Sequence, residues 1–336
     1  MTAPPLVRPS PRRGGGSGLL RHVAGKVGGA LVSLAAVVVL GFFLFRLIPG
    51  DPTVTMTRGR QVDEAQIAEL RALHGYDRPI VEQFGKYVGG LLHGDMGTSL
   101  FYRRTVAELI GERVGPTLLL VGTSTLIAVT LGLWLGIRGA WRRDSPFDRA
   151  STGVALVGWA MPAFWLGMLL SMVTGNLFPS GGMRFSSTPP DFWSQALDVA
   201  HHMVLPCLTL IAVVYAQYQL VMRSSLLEEM NADYLTTARA KGLRDDQVRR
   251  RHAVPNALLP TVTLVFLHIG LVVTGAITVE TVFSWPGLGL LTYEALAGPD
   301  LPLLQGTFVV LAGSVIVMNV LADLLYQVLD PRVRAS

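Results

Sequence analysis

The sequence is short of sulfur, of lysine and of charge in general. Only one cysteine, Cys207, occurs in 336 residues, so no intramolecular disulfide and no cysteine-based metal or redox centre can be built. Charged residues make up 15% of the chain, against about a quarter in soluble globular domains. Lysine is confined to Lys26, Lys86 and Lys241, and arginine supplies the rest of the positive charge. There is no GxxxxGK[ST] phosphate loop, so the chain is not expected to bind ATP itself, and there is no HExxH motif. The glycine-rich stretch at 14–18 is tail composition rather than a nucleophile turn. His201 and His202 are adjacent, about 100° apart on a helix, and read as interfacial residues rather than metal ligands. With no nucleophile–base or metal pair, an intramembrane enzyme has no support, and no metal site is expected.

What the chain does have is apolar length. Hydrophobic residues make up 50% of it, mean hydropathy is +0.45, and the apolar residues fall in long runs. These properties predict an all-α polytopic membrane protein with about six transmembrane helices. The formal charge of +5 does not point to nucleic acid, because the basic residues cluster between apolar runs.

In order, residues 1–26 read as a disordered cytoplasmic tail, rich in Pro, Arg and Gly, and 27–48 as the first transmembrane helix. Residues 49–116 read as an extracytoplasmic helical segment. Within it, short helices are expected over 63–73, after Pro79, and over 105–114, with Asp63 as a cap and Gly75 as a stop. This layer serves as a docking platform for an extracellular binding protein or as a packing cap over the spans, and the two are compatible. Residues 117–329 form a five-helix core, with spans near 117–137, 150–178 (kinked at Pro162), 203–222, 261–283 and 301–329. Gly132 and Gly136 are spaced for close helix packing. Residues 330–336 are a second cytoplasmic tail. Positive charge is dense in both tails and in the 138–149 and 223–251 loops, while the two short outer loops carry only Arg184. That places both termini in the cytoplasm.

The longest polar interruption in the apolar second half is DYLTTARAKGLRDDQVRRRHAVPNALLP, residues 233–260. It reads as two short helices joined at Gly242. The first starts near Asp233 and buries Leu235 and Ala238. The second is capped by Asp245 or Asp246 and runs to about Ala253, ahead of Pro255. A solvated basic loop at a membrane surface is the plainer reading. The block nevertheless resembles the cytoplasmic "EAA" loop of the membrane subunits of bacterial ABC importers: EAA, three residues, Gly, nine residues, Ile-x-Leu-Pro. Here Gly242 and Pro255 keep the spacing. Thr236, Thr237 and Ala238 stand at the first three positions, and His252 and Val254 at those of Ile and Leu, which departs from the general pattern. TARAKGL and RHAVPNALLP are close to the variant of the dipeptide, oligopeptide and nickel permeases. RLIPGDP (46–52), GDMGTS (94–99), VETVFSWPGLG (279–289), DLPLLQG (300–306) and NVLADLLYQVLDPR (319–332) resemble the same family.

The resemblance implies a membrane permease subunit of an ATP-driven importer of di- and oligopeptides in the cell inner membrane. It implies a second permease subunit as heterodimer partner and two ABC ATPase subunits, which would carry ATP and Mg. An extracytoplasmic substrate-binding lipoprotein would deliver the peptide. Tyr234, Ala238, Ala240, Lys241, Gly242, Val254 and Pro255 would couple the loop to the ATPases. Nickel, heme or another peptide-like solute is the alternative cargo, and a secondary transporter needing no ATPase is the more distant rival. Polar residues within the spans are costly in lipid unless paired. Tyr215, Gln219, His268, Glu280, Asn319 and Asp323 are therefore candidates to line a pathway, with helix–helix hydrogen bonding as the competing role.

Overall fold

The computed structural model describes residues 15–47, 63–175 and 177–329, with a few side chains inside the helices, those of 266–275 among them, left outside the description. Among the described residues every regular element is a helix, with no strand.

Helix α1 (Gly15–Leu47) packs lengthwise on the last helix, where a side chain at Gly41 would meet the Phe308 ring at 2.9 Å. It starts twelve residues before the expected span, so residues 15–26 of the expected tail are helical. The last proline before the span is Pro11, so no proline forces a break, although the glycines at 15, 16 and 18 each disfavour helix. Two short helices follow, α2 (Glu64–His74) and α3 (Ile80–Leu92), as the periodicity predicts. Asp63 holds the N-cap position of α2, but its side chain makes no capping bond. Phe42 of α1 is fully buried and meets Phe84 and Tyr87 of α3 at centroid distances of 5.2 and 5.4 Å.

Helix α4 (Val106–Trp141) departs from expectation. The sequence suggests a break at Gly115–Pro116; the helix instead runs unbroken for 36 residues with Pro116 inside it. Proline in a helix interior costs about 3 kcal/mol. Burial on both sides of it offsets this: Leu109 and Ile110 before, Leu120 and Val121 after. The Pro116 carbonyl also accepts a bond from the Trp285 indole at 3.0 Å. The third expected span is broken rather than kinked, because α5 (Pro146–Ala160) and α6 (Ala163–Thr174) meet at 106°. Pro162 disfavours a helical conformation at Met161, which sits at φ −81°, ψ 132°. Helix α7 (Phe192–Glu229) spans 38 residues, well beyond 203–222 at both ends, and takes in Phe192 and Trp193. Asp191 caps it by accepting the Ser194 N–H at 2.9 Å.

After α7 come α8 (Asp233–Ala240), α9 (Asp245–Val248), one wide π-type turn over Arg249–Ala253, and α10 (Val254–Val282). Helix α11 (Leu288–Ala297) lies in a segment read from sequence only as an outer loop. Helix α12 (Leu301–Leu329) matches the sixth expected span.

Among the described residues, four helices have the length and apolarity to cross a membrane, in α1, α4, α7 and α12, and the bent α5–α6 pair makes a fifth. The span expected over 261–283 falls in α10, a continuous helix of 29 residues. Large apolar side chains are exposed along these helices, including Leu31, Val32, Leu126, Val157 and Met172, as a lipid or subunit boundary requires. The most extensive internal contact is between α4 and α7. There, a side chain at Gly132 would come within 2.7 Å of the Tyr215 carbonyl and the Tyr218 Cβ, and one at Gly136 within 2.7 Å of the Gln219 carbonyl. Only glycine permits two backbones this close.

Candidate functional site

The 233–255 loop is an apolar wedge with a polar outer face. Leu235, Ala238, Val248 and Ala253 are buried in one cluster with Ala140 of α4, Met222 and Leu226 of α7, and Ala257 of α10. Burying a side chain such as Leu235 contributes about 1.5–3 kcal/mol, so the loop is fixed to three bundle helices. Gly242 ends the α8 turn at φ +81°, in open space. That left-handed conformation is cheap for glycine and strained for other residues. Arg244, not Asp245 or Asp246, occupies the N-cap position of α9, and Gln247 accepts its N–H at 3.4 Å. The two aspartates lie in the first turn, where their charge favours the helix N-terminus, and Asp245 pairs with Arg239 at 3.2 Å. The helix end expected near Ala253 does not occur: the π-type turn carries the chain directly into α10, with Pro255 in its first turn.

Tyr234 pins the two arms together. Its hydroxyl donates to Glu229 and accepts the Asn256 amide at 2.9 Å, and Asn256 also donates to the His252 carbonyl at 3.2 Å. Partial burial first, then the Glu229 hydrogen bond, pushes the Tyr234 phenol upward. The Arg249 guanidinium lies 5.2 Å from the Trp141 ring centroid, tying the turn to the end of α4. Tyr234, Ala240, Lys241, Gly242 and Pro255 are exposed; Ala238 is buried and Val254 half-buried. Five of the seven sequence-selected loop residues thus face outward together, and the other two anchor.

The polar bundle residues do not converge. Tyr215 and Gln219 are buried where α7 meets Gly132 and Gly136. Glu280 is fully buried and its carboxylate accepts from the Thr117 hydroxyl at 2.7 Å and from the Gly289 and Leu290 N–H groups at 2.7 and 3.1 Å. Within the chain Glu280 is a helix-packing group, and Tyr215 and Gln219 lie against α4. Asn319 is exposed. Asp323 pairs with Lys26 of α1 at 2.5 Å. The His268 side chain lies outside the described residues. Among the described residues, no three His, Cys, Asp or Glu side chains are grouped to hold a metal.

Two arrangements escaped the sequence. Asp148 of α5 is buried and binds Arg223 of α7 through both oxygens, at 2.7 and 2.8 Å, beside Gly139. The signal was present in Ser145-Pro146-x-Asp148, a helix-start signature, which places Asp148 in a first turn next to a basic loop. The second is the cage around Glu280. A side chain at Gly287 would collide with the Glu280 carboxylate, and one at Gly289 with the Ile277 Cα at 2.5 Å. The Thr117 hydroxyl closes the cage by accepting the Leu288 N–H at 2.7 Å. The glycines of SWPGLG are therefore close-approach glycines around one acid.

Two family descriptions match the chain: the binding-protein-dependent transport system inner membrane component over residues 128–335, and the N-terminal region of the membrane component of such systems over 19–113. The chain belongs to this family of inner-membrane transport components. A protein of Brucella suis biovar 1 named as a peptide permease is 40% identical over 323 residues, covering 95% of this chain and 100% of that protein. The dipeptide transport system permease protein DppB of Escherichia coli K12 is 36% identical over 336 residues, 94% and 99% of the two chains. The oligopeptide transport system permease protein AppB of Bacillus subtilis is 35% identical over 304 residues, 89% and 95% of the two chains. A multi-pass permease component of this family is a membrane transport subunit.

Proposed function

We propose that this permease carries di- or oligopeptides inward across the inner membrane, in a complex with a second permease subunit, two ABC ATPase subunits and a substrate-binding lipoprotein. The cargo reading is supported by the names of the relatives, which are peptide, dipeptide and oligopeptide permeases. The coupling reading rests on one observation. The 233–255 loop buries its apolar side in α4, α7 and α10 and turns Tyr234, Ala240, Lys241, Gly242 and Pro255 outward. A partner that pushes on this wedge pushes on three helices at once. In this reading both termini and the loop face the cytoplasm, and ATP and Mg act on the ATPase partners. Nucleotide binding there closes the ATPases, the loop carries the movement into the bundle, and substrate moves only by binding the two states differently.

The test is a mild-detergent pull-down of the tagged chain from its native membrane, followed by peptide uptake with Gly242→Pro. An ATPase pair and a second permease are expected in the pull-down. Gly242→Pro is expected to insert normally and to abolish uptake, because proline cannot adopt φ +81°. Recovery of the chain alone, still transporting without ATP, overturns the proposal in favour of a secondary transporter.

A further inference from the structure

At the end of the bundle opposite the 233–255 loop lies a cavity of about 330 Å³, bounded by the end of α1, by α3, by the GDMGTS turn and by the start of α12. Its volume is at the lower end of the range for small-molecule sites. Four of its lining side chains carry a buried polar atom with no hydrogen-bond partner: Arg46 Nε, Gln83 Oε1, Tyr87 OH and Gln305 Nε2. Buried polar atoms are nearly always paired, and each one left unpaired costs about 1–3 kcal/mol. Four around a single cavity are an unmet demand with a definite chemistry.

That chemistry has two signs. Arg46 and Gln305 offer N–H donors, Tyr87 offers a hydroxyl, and Lys86 adds a second cation. Gln305 is 7% exposed, so water outside the cavity does not satisfy it. The Arg46 guanidinium is held 4.8 Å from the Phe42 ring centroid and 5.4 Å from that of Tyr76, which fixes a charge that would otherwise swing away. On the acceptor side, the Gln83 amide nitrogen is already spent on the Arg78 carbonyl at 2.7 Å, so its free oxygen needs a donor. Asp95 lines the same cavity, with one carboxylate oxygen accepting the Gly97 N–H at 2.8 Å. A bound anion alone leaves the Gln83 oxygen unmet, and a bound cation alone leaves Arg46, Tyr87 and Gln305 unmet.

We infer that this cavity binds a small zwitterion carrying an oxyanion and a primary ammonium group, the oxyanion against Arg46, Lys86, Tyr87 and Gln305 and the ammonium against Gln83 and Asp95. Two sources present this pair of groups: the free ends of an amino acid or short peptide, and an ethanolamine phospholipid headgroup. The inference rests on the importer reading only for where the ligand comes from.

The test uses the full complex in phosphatidylcholine nanodiscs, whose headgroup nitrogen has no N–H. Labelled alanyl-alanine is titrated against the wild type, Gln305→Leu and Lys86→Ala, with N-acetyl-alanyl-alanine amide as the uncharged control. Saturable binding of alanyl-alanine is expected, with no binding of the capped compound. A loss of about tenfold in affinity is expected in each variant, as for one polar partner removed. Lys86 is exposed and leucine preserves the volume of Gln305, so both variants should fold. Displacement of alanyl-alanine when phosphatidylethanolamine replaces part of the phosphatidylcholine assigns the site to lipid; undiminished binding assigns it to the soluble solute. Equal binding by all three proteins, equal binding of the capped compound, or no binding of either ligand overturns the inference. ATP-driven peptide uptake measured on the same nanodisc protein, returned to liposomes, separates the two proposals: uptake without cavity binding rejects the site alone, and its absence counts against the importer reading.

Discussion

The two ends of this molecule use polar residues in opposite ways. At the Glu280 cage every polar group is turned inward, with carboxylate, Thr117 hydroxyl and the backbone of SWPGLG consuming one another out of contact with solvent. At the 233–255 loop the apolar residues are inside and polar ones, Tyr234 and Lys241 among them, face out. One end is a staple and the other a contact surface. The difference teaches that a polar residue within an apolar sequence has to be judged by whether its hydrogen-bonding capacity is already used.

The contrast is broken most severely at the staple. Glu280→Ala leaves the Thr117 hydroxyl and two N–H groups unpaired in a buried site. At about 1–3 kcal/mol each, the loss approaches the whole stability of a typical domain, and monodisperse protein in detergent should fall to near zero. Full yield would mean the cage is ornamental. Next comes Asp148→Ala, which strands Arg223 at the α5–α7 contact and should cost about 3–5 kcal/mol, read as a lowered thermal unfolding midpoint. Arg223→Ala should lose as much, and the double variant should lose much less than the sum. Additive losses would dissolve the pairing. Gly242→Ala is milder, about 1–2 kcal/mol for a non-glycine left-handed residue, because a Cβ there meets open space. It should cut uptake more than it cuts stability; the reverse would demote the loop from contact surface to scaffold. The smallest effect belongs to Asp323→Ala. The Lys26–Asp323 side chains are 40% and 44% exposed, and such pairs contribute about 0–1 kcal/mol. Unfolding midpoint and complex yield should match wild type, despite the weight that an acid in an apolar run invites.

Helix identity was legible wherever the signal was local. Gly75, Gly242, Leu235 and Ala238 all fall where turn chemistry and periodicity put them. Prolines misled in both directions. Pro116 reads as a stop and is absorbed, because buried leucines flank it and Trp285 takes its carbonyl; Pro162 reads as a kink and breaks the span by 106°. Local propensity does not record which contacts will compensate a proline. The same limit hid Asp148–Arg223, 75 residues apart in sequence, and Thr117–Glu280, 163 apart. Polarity flagged Glu280, Tyr215 and Gln219 as unusual, but which side of each helix faces a neighbour is decided by tertiary packing, where Gly132 and Gly136 draw Tyr215 and Gln219 inward.

Helices α4 and α7, of 36 and 38 residues, would each run about 54–57 Å at 1.5 Å per residue, nearly twice the thickness of a bilayer's hydrocarbon core. Locked along a glycine seam that leaves no room to slide freely, they make a stiff lever that protrudes past the hydrocarbon. A tilt of only about 5° about one end carries the other through about 5 Å, so a displacement that barely disturbs the contacts at the fulcrum becomes, at the distant tip, the spacing of two adjacent strands.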